Sequence, residues 1–100
     1  MEKLTNEQIN KLLDLSGLVI WARADEELCP EELKDYYSER TLEAWAKFDA
    51  CVFSTDNLTS GQHDELIRYI MEETKTRIDF IKAGRALNKA KRELTLLLVD

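Results

Sequence analysis

The sequence predicts an all-α fold, a compact bundle of three to four helices whose long C-terminal helix is bent or broken near Gly84. Three observations carry this. Apolar residues recur at three- and four-residue steps along most of the chain, the period of a helix with one buried face. Two segments open with the same signature, Thr5 with Gln8 and Thr59 with Gln62, a spacing at which each side chain satisfies a backbone N–H of the other residue. The 100 residues include only three glycines and one proline, too few turn formers for a many-stranded sandwich.

The first helix starts at the Thr5 cap. Leu4 and Ile9 stand just before the cap and at the fourth helical position, where a hydrophobic staple forms. Ile9, Leu12, Leu13, Ser16, Val19 and Ile20 mark its buried face, with Ser16-Gly17 a soft spot, and the pattern fades near Ala24. Pro30 suits the first position of a second helix, with Glu31 and Glu32 against its positive end. That helix runs from about residue 30 to 53, with Leu33, Tyr37, Ala44, Phe48 and Cys51 or Val52 inward. Trp21, Tyr36, Tyr37, Trp45, Phe48 and Phe53 are expected to supply much of the core, and any excess to mark an interface.

A third helix starts at Thr59 or Ser60 and meets no proline before Leu98. Its apolar residues fall in two stripes, Ile67, Ile70, Thr74, Ile78 and Ile81, then Phe80, Ala83, Leu87, Ala90, Leu94 and Leu97. The second is turned by about 200° from the continuation of the first. Because the change of face falls at Ala83-Gly84, a kink, a break or a close helix crossing is expected there.

A chain of this size folds as one domain, residues 1–100, and buries roughly two thirds of its unfolded surface. That leaves room for a modest core and hardly for an enclosed catalytic cavity. With 44% hydrophobic residues the chain is too apolar to be disordered. It shows neither a signal-peptide core nor an apolar run near the roughly 18 residues of a membrane span, which predicts a cytoplasmic protein away from membranes. Cys29 and Cys51 fit no metal spacing and read as free thiols, Cys51 as a small core residue. The Asn57-Leu58-Thr59 sequon carries no meaning without secretion.

Charge is unevenly placed. The formal net charge is −6, all of it in residues 1–50, which hold twelve acidic and six basic side chains, whereas residues 51–100 hold eight of each. Asp25, Glu26, Glu27, Glu31, Glu32, Asp35 and Glu39 crowd one stretch against Lys34. Residues 82–92 carry Lys82, Arg85, Lys89, Lys91 and Arg92 and no acid. With the second stripe inward, most of these bases fall on other faces of an ordinary amphipathic helix and Lys91 on its edge. The opposite blocks could meet within the fold or across a homodimer formed through the second or third helix.

Site chemistry is sparse. His63 is the one histidine and lacks the companions of a general base or metal site. Cys51 has no histidine near it in sequence, and Cys29 is the more reactive candidate. Glu31-Glu32 and Glu72-Glu73 are adjacent pairs, which diverge on a helix. No Gly-rich phosphate loop, zinc finger or RNA platform is present, and the acidic field of the whole chain opposes direct nucleic-acid binding. The sequence therefore predicts a protein that is not an enzyme, needs no cofactor or metal, and binds and modulates another protein or a protein–nucleic-acid complex. By analogy of size and style alone, that is the class of phage-encoded inhibitors of host defence and of immunity and small regulatory proteins. The expected binding face is Glu31, Glu32, Asp35 and Glu39, with Tyr36 as anchor; 20 acids against 14 bases is too mild an imbalance for full imitation of DNA. Two alternatives use the basic segment: a nucleic-acid-binding regulator gripping through Lys82, Arg85, Lys89, Lys91 and Arg92, and a helical oligomer that sequesters a small ligand, with Arg85 or Lys89 near a phosphate.

Overall fold

The computed structural model describes residues 3–99. Their regular structure is all helical: α1 (Asn6–Leu28), a short 3-10 turn (Glu31–Leu33), α2 (Lys34–Ser54) and α3 (Ser60–Leu98).

Both capping boxes form. The Gln8 amide N–H donates to Thr5 Oγ1 at 3.1 Å and the Thr5 amide N–H donates to Gln8 Oε1 at 2.9 Å. Thr59 and Gln62 repeat this at the same two distances. α1 does not fade at Ala24 but continues to Leu28, because nothing in Asp25–Leu28 breaks a helix. What stops it is Pro30, whose ring disfavours helical backbone in the residue before it; Cys29 is accordingly extended, with φ −74° and ψ 157°. Pro30 is itself extended and precedes the 3-10 turn, so α2 starts at Lys34 rather than at residue 30.

The core forms where α1, α2 and the first half of α3 meet, around Val19, Ile20, Ala22, Ala44, Phe48 and Ile70. Contrary to the sequence expectation, it is mainly aliphatic. Phe48 is fully buried, Tyr37 and Trp45 are half-buried, and Trp21, Tyr36 and Phe53 are exposed. Ser16, Ala22, Ala24 and Ala44 at the buried positions leave little gap between helices, and one ring fills it. The buried hydroxyls are used locally: Ser16 Oγ donates to the Leu12 carbonyl at 2.7 Å, and Thr41 Oγ1 lies 3.2 Å from the Ala22 carbonyl, tying α2 to α1.

The molecule is drawn out rather than compact. It measures 70 × 27 × 19 Å, with a radius of gyration of 18.5 Å, against about 13 Å for a compact chain of this length. The cause is α3, a single helix of 39 residues that runs unbroken through Gly84. Ile70 and Thr74 are buried and Ile67, Ile78 and Ile81 half-buried, so the first stripe packs on the body. Residues 82–99 are all exposed, and from Phe80 on the second stripe has left the body. The change of face thus needs no break, since the two stripes never share a neighbour. Nor does Gly84 mark a close crossing, because a Cβ built there meets nothing within 4 Å.

Gly17 also has nothing within 4 Å of a built Cβ, and it sits inside α1. Gly17→Ala is therefore expected to stabilise the fold by about 0.5–1 kcal/mol. A thermal melt should show Tm rising by several degrees; a fall would mean that a hidden contact crosses that position.

Candidate functional site

The acidic corner is built by the α1–α2 connection. Glu31 and Glu32 lie in the 3-10 turn, Asp35 and Glu39 one helical turn apart on α2, and all four are exposed. Lys34, which lies within the run, is directed elsewhere: its Nζ donates to the Glu26 carbonyl at 2.5 Å, closing the end of α1. The ion pairs among the described residues join Arg68 to Glu65 at 3.6 Å and to Glu72 at 3.1 Å, so the corner carboxylates have no cationic partner among those residues. Glu72, by hydrogen bond and charge, and Glu65, by charge, hold the Arg68 guanidinium above its ordinary pKa.

Tyr36 is 57% exposed and organised from one side. Its ring meets Tyr37 edge-on at 5.1 Å, and the Arg40 guanidinium carbon lies 5.8 Å from its centroid. The corner thus presents carboxylates around an aromatic ring whose neighbours restrict it.

The five bases of the expected alternative site are all exposed on the projecting part of α3. At 100° per residue, Lys82, Arg85, Lys89 and Arg92 form a ridge about 150° away from the apolar stripe, with Lys91 at the stripe's edge. The fold brings the start of this ridge beside the corner. Arg85 Nη1 donates to the Leu28 carbonyl at 3.5 Å, and Arg85 and Ile81 line a shallow hollow with Asp25, Cys29, Pro30 and Tyr37. Lys89, Lys91 and Arg92 lie farther out along the helix.

His63 is half-buried in the first turn of α3, and its ring stacks on Phe48 with centroids 6.4 Å apart and planes 22° from parallel. It is a packing residue of the α2–α3 contact. Cys51 is buried; Cys29 is half-buried, its thiol donating to the Glu26 carbonyl at 3.2 Å. Among the described residues no three His, Cys, Asp or Glu side chains converge as a metal site would require, and no helix is long and apolar enough to cross a membrane.

One feature escaped the sequence reading: an open apolar groove of about 530 Å³ between the start of α1 and the start of α3. Leu4, Ile9, Leu13, Leu58, Leu66 and Tyr69 line it, with Glu65 at its side. Leu4 and Ile9 read locally as a staple. The signal that would have exposed the groove is that Leu66 and Tyr69 stand off the Ile67–Ile70 stripe. Opposite, the Arg77 guanidinium lies 3.9 Å from the centroid of Trp21, leaving Arg77 Nε buried without a hydrogen-bond partner.

Compared with protein-family models, with curated proteins and with solved structures, the chain matches none.

Proposed function

We propose that this chain is a non-catalytic binding protein whose acidic corner docks a basic surface on another protein, or on a protein–nucleic-acid complex, and modulates that target. The observation that carries the reading is the corner itself: Glu31, Glu32, Asp35 and Glu39 exposed and without an ion pair among the described residues, next to Tyr36, while Lys34 is turned to a carbonyl. Exposed carboxylates without internal partners draw a cationic surface in and set its orientation. A half-exposed, flanked tyrosine is the type of residue on which interface energy concentrates. In this reading the protein works in the cytoplasm with free thiols, in the manner of small inhibitors and immunity proteins.

The test is a tagged pull-down from the source cells with nuclease at two salt concentrations, read by mass spectrometry. One stoichiometric protein should survive nuclease. The quadruple variant Glu31→Lys, Glu32→Lys, Asp35→Lys, Glu39→Lys should lower its recovery at least tenfold while leaving the circular dichroism spectrum unchanged. Undiminished recovery by the variant would remove the corner from the interface.

A second reading, a nucleic-acid-binding regulator, is favoured by the free exposure of the Lys82–Arg85–Lys89–Arg92 ridge. It requires retention of DNA or RNA that weakens steeply with salt. Material lost on nuclease treatment in the same pull-down would shift the weight to it.

A further inference from the structure

The projecting arm of α3 and the groove beside the start of α3 are two parts of one line of residues. Leu66, Tyr69, Glu73, Thr76, Phe80, Ala83, Leu87, Ala90, Leu94 and Leu97 follow one another at alternating three- and four-residue steps, a heptad seam running the length of α3. Its first two members form one wall of the apolar groove. Its last members, Phe80, Leu87, Leu94 and Leu97, are 56–78% exposed on the arm. The seam thus carries an open apolar receptor at one end and an uncovered apolar ligand at the other.

We infer that the protein forms a two-fold antiparallel dimer in which the arm of each copy lies along α3 of the other, with Leu94 against Tyr69, Leu97 against Leu66 and the groove, and Phe80 against Ala83 across the axis. A two-fold interface makes every such contact twice. In this register the ring of Phe80 meets the small Ala83, and the apolar end of the arm reaches the apolar groove. The contact extends over residues 66–97, about 48 Å of helix at 1.5 Å per residue.

Charge selects a second copy, and selects this arrangement. Residues 1–79 hold eighteen acids and nine bases, whereas residues 80–100 hold five bases and two acids. The body is therefore strongly negative and the arm positive, so the arm is attracted to the body of another copy. Arm against arm, parallel or antiparallel, would bring two positive segments together and leave the negative body without its complement. It would also offer fewer than three heptads, short of the three to four that mark a self-sufficient coiled coil. The dimer makes no use of the acidic corner, and stands or falls separately from the reading above.

Two measurements decide it. Sedimentation equilibrium of the unmodified protein from micromolar to millimolar concentration should show the mass of two chains, weakening as salt is raised; the mass of one chain throughout overturns the proposal. The double variant Tyr69→Cys, Leu94→Cys replaces two exposed side chains and should give, on mild oxidation, a cross-linked pair whose peptide map joins residue 69 to residue 94. Leu94→Cys alone should not link to itself, because the two copies of that position lie about 37 Å apart in this register, far beyond the 3.5–4.5 Å between Cβ atoms of a disulfide. Self-linkage of Leu94→Cys would mean arm on arm and would overturn it, as would a dimer in which neither linkage forms.

Discussion

Phe48→Ala should cost about 3–5 kcal/mol, a large part of the roughly 5–15 kcal/mol that holds a small domain folded. The side chain is fully buried and is the one aromatic ring wholly inside the core. It meets Trp45 edge-on at 5.7 Å and lies under His63 at 6.4 Å, so its removal empties the place where α2 faces α3. The neighbours Val19, Ile20 and Ala44 are small or β-branched and stand on rigid helices, which limits how far they can close the gap. At roughly 4–8 °C per kcal/mol for a domain of this size, Tm should fall by more than about 12 °C. Urea denaturation should show the midpoint shifting with little change in slope. A loss under about 1 kcal/mol would mean that the ring is not the keystone its burial implies.

Ile70→Ala and Leu87→Ala remove similar side chains from one helix and should give opposite results. Ile70 is fully buried against α1 and α2, and its truncation should cost about 2–5 kcal/mol at any protein concentration. Leu87 is 62% exposed on the arm. In dilute, monomeric protein its truncation should stay within about 0.5 kcal/mol. In concentrated protein it should lower the midpoint by weakening the pairing that the unmodified chain gains with concentration. Denaturation of both variants at two concentrations checks this. Equal losses in dilute solution would place the arm on its own body.

Local chemistry made the helix starts legible: both capping boxes sit where Thr5–Gln8 and Thr59–Gln62 put them. Periodicity made the middle of the α1 face and the first stripe of α3 legible, because a residue every three or four positions reports burial wherever a neighbour exists; Ile9 and Leu13, expected inward, are exposed beside the groove, and Leu33 is exposed in the 3-10 turn. Where the neighbour is missing, the same signal misleads. The stripe from Phe80 to Leu97 has the spacing of a core face and lies in solvent, so its pattern suggests a bend or break at Gly84 that the unbroken α3 does not need. The end of α1 and the start of α2 differ from the expectation: the apolar pattern fades at Ala24 although nothing before Pro30 breaks the helix, and Pro30, itself extended, delays α2 to Lys34. Size alone points Trp21, Tyr36 and Phe53 to the core, whereas they stand off the faces by which α1 and α2 meet, where Ala22, Ala24 and Ala44 are buried. The acidic corner was legible as a run of carboxylates; that Lys34 turns away from it to the Glu26 carbonyl was not, since this depends on where α1 ends. The groove joins residues more than fifty positions apart; its local trace, Leu66 and Tyr69 off the Ile67–Ile70 stripe, does not say what they face.

The unbroken passage of α3 from body to arm has a consequence for how the arm is ordered. An isolated peptide of some eighteen residues must initiate its own helix, fixing several dihedral angles for a first hydrogen bond, with a statistical weight of about 10⁻³. Residues 82–99 face no such step, because the turns that hold Ile70 and Thr74 in the core are already helical and the arm only extends them. Each further residue adds one backbone hydrogen bond at a weight near one, so helical order in the arm spreads outward from its root. Whatever the arm meets, it arrives as a helix with its apolar stripe already aligned, and only the outermost turns remain to be ordered on contact.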